Sequence, residues 1–200
     1  EAPPESDVES ETVPPEDTDI PEETEPPLPE KYITNIMLVG QNWREDEQNK
    51  LSDTMILCSI NRKTKTMTMV SFLRDLYVKI PGYQENKMNA AYAFGGMELL
   101  NKTLEENFGV RVDGNVEVNF SRFASLIDLL GGVDIKMTKA EATYLVDGCK
   151  HDVHEGWNRL DGAAAFDYAR LREIDNDYKR ANRQRTVMLS LIERYKTLPL

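Results

Sequence analysis

The chain has 200 residues and a formal charge of −11, from 24 Lys and Arg against 35 Asp and Glu. Residues 1–30 hold twelve of those acids, no Lys or Arg, and eight of the ten prolines, which leaves ~170 residues with 24 basic against 23 acidic side chains and enough length for a sizeable core. A domain so nearly neutral lacks the broad basic surface of a nucleic-acid binder, and no run of 18 apolar residues is present to cross a membrane.

Residues 1–30 are too acidic, too rich in proline and too poor in aromatics to offset chain entropy by burial. They read as a self-repelling, partly polyproline-like stalk, with residues 31–200 as the folded domain. The chain starts with Glu1, which reads as a processed or trimmed form whose signal or anchor preceded it.

Along the domain, YITNIMLVG (32–40) is an apolar run ending in Gly and predicts a buried strand. DTMILCSIN (53–61) and TMTMVSF (66–72), joined by NRKTK, predict a hairpin. LYVKIPG (76–82) is a short strand stopped by Pro-Gly. Residues 87–108 are helical, with an apolar side of Ala90, Ala91, Phe94, Leu99, Leu100, Leu104 and Phe108 broken at Gly95-Gly96. GNVEVNF (114–120) alternates like a strand. Ser121 is placed to cap the helix RFASLIDLL, and Gly131-Gly132 ends it. VDIKM is a further strand, Thr138 caps KAEATYLV, and DGAAAFDYAR is a helix. The last helix runs from about Asp177 to Tyr195 with Val187, Met188, Leu191 and Ile192 facing the core. Strands mixed with helices predict a mixed sheet covered by helices on both faces.

The stretch ARLREIDNDYKRANRQR (169–185) gathers Arg170, Arg172, Lys179, Arg180, Arg183 and Arg185. Arg180, Arg183 and Gln184 lie at helical spacing near a helix N-terminus, where Asp177 is placed either to cap the helix or to orient an arginine. Guanidinium groups bind phosphate oxygens in pairs and stay charged at any working pH. Asp53 and the Arg74-Asp75 pair sit at strand ends, where α/β sheets bind ligands. One carboxylate among several arginines suits a pyrophosphate with Mg²⁺. A solvated basic face paired with Glu173 and Asp175 is the plainer alternative. Cys149, His151 and His154 are too few for a tetrahedral zinc site by themselves. Cys58 and Cys149 leave free thiols and a disulfide both open.

The ordered motifs NIMLVG, SDTMILCSIN, MVSFLRDLYVKIPGY, KMNAAYAFGG, LDGAAAFDYARLRE and DYKRANRQR together resemble the LytR-CpsA-Psr family of cell-wall enzymes over about residues 33–195. The resemblance implies an α/β/α sandwich with an apolar lipid pocket. It implies a phosphotransferase that moves an anionic glycopolymer, such as teichoic acid or capsule, from a polyprenyl-pyrophosphate carrier to peptidoglycan. A pyrophosphatase side activity of the same enzyme is expected beside it, and a non-catalytic binder of the same fold and the transcriptional regulator of older family labels are the other readings. Location on the extracellular face of a Gram-positive-type membrane, a single N-terminal anchor, a monomeric state and no nucleic-acid partner are expected. By resemblance, Asp53 and Asn42 hold Mg²⁺. Arg74, Arg170, Arg172, Arg180, Gln184 and Lys87 hold the pyrophosphate. Arg74, Asp75, Arg170, Arg172 and Asp177 form the catalytic set, with Asp75 and Asp177 as candidate bases. Ala90, Ala91, Phe94, Leu100, Leu104, Phe123, Leu126 and Ile127 wall the lipid pocket, with ordinary core as their alternative role. Asn42 stands where many members carry Asp, and Leu51 where many carry Arg, with Lys50 and Arg44 nearby; an uncharged amide ligand predicts weaker Mg²⁺ binding.

Overall fold

A computed structural model describes residues 32–41 and 52–197. The expected stalk, Asn42, Arg44, Lys50, Leu51 and the side chain of Ser121 lie outside the described residues.

The central sheet has the order β3-β2-β1-β6, formed by β1 (Ile33–Gln41), β2 (Ser52–Asn61), β3 (Thr66–Phe72) and β6 (Gly114–Asn119). β1 pairs antiparallel with β2 and parallel with β6, so the sheet is mixed. The β2–β3 hairpin forms where it is predicted, its turn held by Asn61 Oδ1 accepting from the Lys63 and Thr64 amides. A small ladder of β4 (Tyr77–Val78) and β5 (Asn86–Lys87) leads into α1 (Met88–Phe108). The helix bends at Gly95-Gly96, where Gly96 takes φ +61 and ψ −152, a conformation side chains disfavour.

α1 covers one face of the sheet. Met37, Val39, Met55 and Leu57 from the strands meet Met88, Ala90, Ala91, Leu100 and Leu104 from the helix in a closed core. Each large side chain buried there stabilises the fold by roughly 1.5–3 kcal/mol.

The second core uses no residue of the central sheet. It joins α2 (Phe120–Leu129), α3 (Lys139–Asp147), α4 (Gly162–Arg170) and α5 (Asp177–Lys196) to a hairpin of β7 (Val133–Met137) and β8 (Gly156–Leu160). The strand β8 has no counterpart in the sequence reading, because GWNRL is short and only weakly alternating. Thr138 and Glu141 form a reciprocal capping box on α3, as Thr138 alone suggests. Asp161 caps α4. A side chain at Gly162 would run into the Ala124 backbone, so glycine allows α4 to lie against α2. The Gly162 amide donates to Asp128 Oδ1 at 2.7 Å across the same contact. The sheet therefore has helices on both faces, as expected, but the α2/α4/α5 layer stands off it around a cavity.

Candidate active site

That cavity is apolar and about 200 Å³ in volume. Leu38, Ile56, Val116 and Val118 of the sheet form its floor, and Phe123, Leu126, Phe166, Ala169 and Met188 form much of its roof. Val116 and Leu126 are 44% and 42% exposed, so its edge opens to solvent.

A polar chamber of about 460 Å³ adjoins it, and Thr54, Arg170 and Gln184 line both spaces. The chamber is lined by Asp53, Arg74, Arg170, Arg172 and Arg180 and also by Tyr144, Cys149, Asp167 and Glu173.

Asp53 owes its position to a bulge. The register of β1 with β2 runs Gly40 to Thr54 and then Gln41 to Ser52, which leaves Asp53 as an extra residue. Regular pleating would send Asp53 and Thr54 to opposite faces, yet both line the chamber. The Asp53 carboxylate accepts from Arg74 Nη1 at 2.9 Å. Arg74 Nε lies 3.3 Å from Asp75, whose other oxygen accepts from Lys87 Nζ at 2.6 Å. Burial opposes the Arg74 charge, but the hydrogen bonds and charges of Asp53 and Asp75 outweigh it and raise its pKa. The Lys87 hydrogen bond, with help from Arg74, holds Asp75 below the usual carboxylate range. Lys87 thus acts at one remove, through Asp75.

Arg170 ends α4 with its guanidinium 4.9 Å from the Phe166 ring centre, a cation–π contact at the junction of cavity and chamber. Arg172 follows in the next loop. Arg180 is 5% exposed and has Nη1 2.9 Å from Asp177 Oδ1, in a geometry that completes no hydrogen bond. The cap of α5 is Asn176, whose side chain accepts from the Lys179 amide, so of the two roles expected of Asp177 it takes the one beside an arginine, Arg180. Asp75 and Asp177 face a neighbouring recess that shares Arg74 and Arg180 with the chamber.

The arginine cluster divides. Arg183 is 3% exposed and turns inward, donating to Asp175 at 2.6 and 2.7 Å, to Glu141 at 3.3 Å and to the Leu171 carbonyl at 2.6 Å. It therefore pins α3 and the loop that carries Arg172 onto α5. Arg185 donates to Ser71 of β3. Neither lines the chamber.

The expected lipid wall divides as well. Phe123 and Leu126 line the apolar cavity. Ala90, Ala91, Leu100 and Leu104 do not; they pack on the opposite face of the sheet under α1. Phe94 is exposed and stacks on Tyr83 at 4.9 Å, and Ile127 is sealed in the second core. Helical periodicity finds the buried side of α1 but not which face of the sheet receives it. Cys58 and Cys149 are both free thiols. His151 pairs with Asp167, while the His154 amide and carbonyl bond the side chain of Asn158.

Thr54, Tyr144, Phe166 and Asp167 join the site without having been singled out in the sequence, and Cys149 and Glu173 join it in roles other than those expected. Of the first four, Asp167 alone carries a signal in its spacing, one helical turn before Arg170.

Residues 7–199 match the LytR_cpsA_psr family. The chain belongs to that family. The teichoic acid transferase TagT of Bacillus subtilis is 34% identical over 180 residues, 85% of this chain and 55% of its own length. TagU of Oceanobacillus iheyensis, also named a polyisoprenyl-teichoic acid–peptidoglycan teichoic acid transferase, is 39% identical over 167 residues, 80% of this chain and 50% of its own length. The solved structure of the LytR-CPS2A-psr protein YwtF (TagT) with bound octaprenyl pyrophosphate superposes with a TM-score of 0.73 at 32% identity, covering 84% of this chain and 67% of that one. The LytR_cpsA_psr chain described here spans about half the length of the curated relatives it matches.

Proposed function

We propose that this domain transfers an anionic glycopolymer from a polyprenyl-pyrophosphate carrier to peptidoglycan on the outer face of the membrane, as the relatives' names suggest. The observation that carries this reading is the junction of an apolar cavity with an arginine-lined chamber at Thr54, Arg170 and Gln184. A prenyl pyrophosphate has the same two-part character. Its first isoprene units fill the cavity, and the rest of the chain leaves past the half-exposed Val116 and Leu126. Its phosphates meet Arg74, Arg170, Arg172 and Arg180, with Gln184 at the junction and Lys87 acting through Asp75.

In the reaction, an acceptor hydroxyl oxygen attacks the sugar-linked phosphorus. A new P–O bond forms, the bond from that phosphorus to the bridging oxygen breaks, and polyprenyl phosphate leaves with the bridging oxygen. Guanidinium groups gathered in place beforehand need little reorganisation as charge spreads over the phosphate oxygens. A divalent ion fits the donor set. Asp53 offers a hard carboxylate, and the buried Thr54 Oγ1 beside it has no hydrogen-bond partner among the described residues. Asp53 and Asn42 would hold Mg²⁺, which when bound neutralises phosphate charge.

The test is thermal stabilisation of the parent and of Arg170→Ala/Arg172→Ala by a long-chain prenyl pyrophosphate, with and without Mg²⁺. A shift in the parent that is lost in the variant is expected. No shift in the parent would sink the reading. Binding without any transfer to peptidoglycan would favour a non-catalytic carrier-lipid binder.

A further inference from the structure

Part of the polar chamber's lining offers nothing to the donor's phosphates. Asp167 and Glu173 repel phosphate, and Tyr144 and Cys149 offer it no charge. Such side chains suit an uncharged, hydroxyl-bearing group. These side chains line the same chamber as the arginines that would hold the scissile pyrophosphate, so a hydroxyl resting on them shares that space with the reacting phosphorus.

Other carboxylates near the site are already engaged by cations. Asp53 is paired with Arg74, Asp75 with Lys87 and Arg74, and Asp177 with Arg180. Asp75 is held below its ordinary range by Lys87 above all, and Glu173 by the Arg172 amide first and the Tyr144 hydroxyl as well. Asp167 differs. Among the described residues its ion-pair partner is no Lys or Arg but His151, whose Nε2 lies 2.7 Å from Oδ2. An ionised carboxylate can only accept, so the imidazole donates. The Asp167 side chain is 38% exposed and lines the chamber, whereas His151 is 18% exposed behind it. Cys149, beside them, is no rival nucleophile: burial first, and then Asp167, push its thiol pKa up, so it stays protonated.

We propose that Asp167 is the catalytic residue that receives the proton of the acceptor hydroxyl, and that His151 is the positioning residue that orients it. This rests on the transfer reading given above. As the acceptor oxygen bonds to phosphorus, its O–H bond breaks and the proton passes to the Asp167 carboxylate. The electron pair of the broken P–O bond stays with polyprenyl phosphate. Solvent later takes the proton from Asp167.

The experiment uses the full chain, a synthetic prenyl-pyrophosphoryl saccharide as donor and soluble peptidoglycan strands as acceptor. Donor affinity, kcat and KM are measured for the parent, Asp167→Asn, Asp167→Glu and His151→Gln. The proposal expects Asp167→Asn to bind donor within about twofold of the parent while kcat falls roughly 10²–10⁴-fold. Asp167→Glu should recover part of kcat. His151→Gln should lower kcat less than Asp167→Asn does, with donor affinity unchanged. An active parent with an equally active Asp167→Asn overturns the assignment and leaves the transfer reading intact. A loss that tracks weakened donor binding overturns it too. A parent that binds no donor, or binds it without transfer, overturns both.

Discussion

The two faces of the central sheet are built from the same strands and serve different ends. Alternate residues of β1 and β2 go to each side. Met37, Val39, Met55 and Leu57 pack with α1 in one buried core, with Leu100 and Leu104 fully buried. Leu38 and Ile56 look instead into the space beneath α2, α4 and α5. Those helices have a core of their own with the β7–β8 hairpin, so they need not collapse onto the sheet. A cavity survives in a protein when its walls are supported from behind.

That contrast can be broken from either side. The largest effect should come from Arg183→Ala, which leaves Asp175 and Glu141 without the guanidinium that joins them. Breaking a buried ion cluster in this way costs about 3–5 kcal/mol by chemical denaturation, and the loop carrying Arg172 should loosen. Arg172→Ala should leave the melting temperature near the parent's but reduce transfer by about 10³-fold, roughly 4 kcal/mol of transition-state stabilisation, in a single-turnover assay. If turnover were retained, the chamber would not be the reaction site.

On the closed face, Leu100→Ala should cost about 3 kcal/mol and leave prenyl-pyrophosphate affinity unchanged, as read by denaturation and calorimetry. On the open face the outcome should reverse. Ala169→Leu fills the apolar cavity, so prenyl affinity should fall at least about tenfold, or about 1.4 kcal/mol, while the melting temperature holds or rises. Equal effects of both variants on lipid binding would refute the division of the two faces.

The smallest effect concerns acid. The Arg183 hydrogen bond holds Asp175 below its ordinary pKa of 3.8. A carboxylate depressed in the folded state stabilises it above the unfolded value and loses that contribution as pH falls through the folded one. Unfolding midpoints should therefore drop below about pH 4, and the drop should be smaller in Asp175→Asn.

Much of this molecule is legible in the chain itself. Local patterns are enough for the β2–β3 hairpin, the Thr138 cap, the glycine break in α1 and the stripe of α5, because each depends on residues near in sequence. The family motifs point to Asp53, Arg74, Arg170, Arg172, Arg180 and Gln184, and the fold brings these six to one chamber. Periodicity shows that α1 has an apolar side but not which face of the sheet it covers, since that depends on chain path. The bulge at Asp53 is equally hidden, because register is a relation between strands. Arg180 and Arg183 are three residues apart and alike in chemistry, yet one reaches the chamber and the other an internal ion cluster. Asp167 and His151 meet only because the segment after α3 folds back on α4. Local patterns in the chain specify most of the elements, several of their caps and the charged groups available; which of those charges share a space is set by packing between residues far apart in the chain.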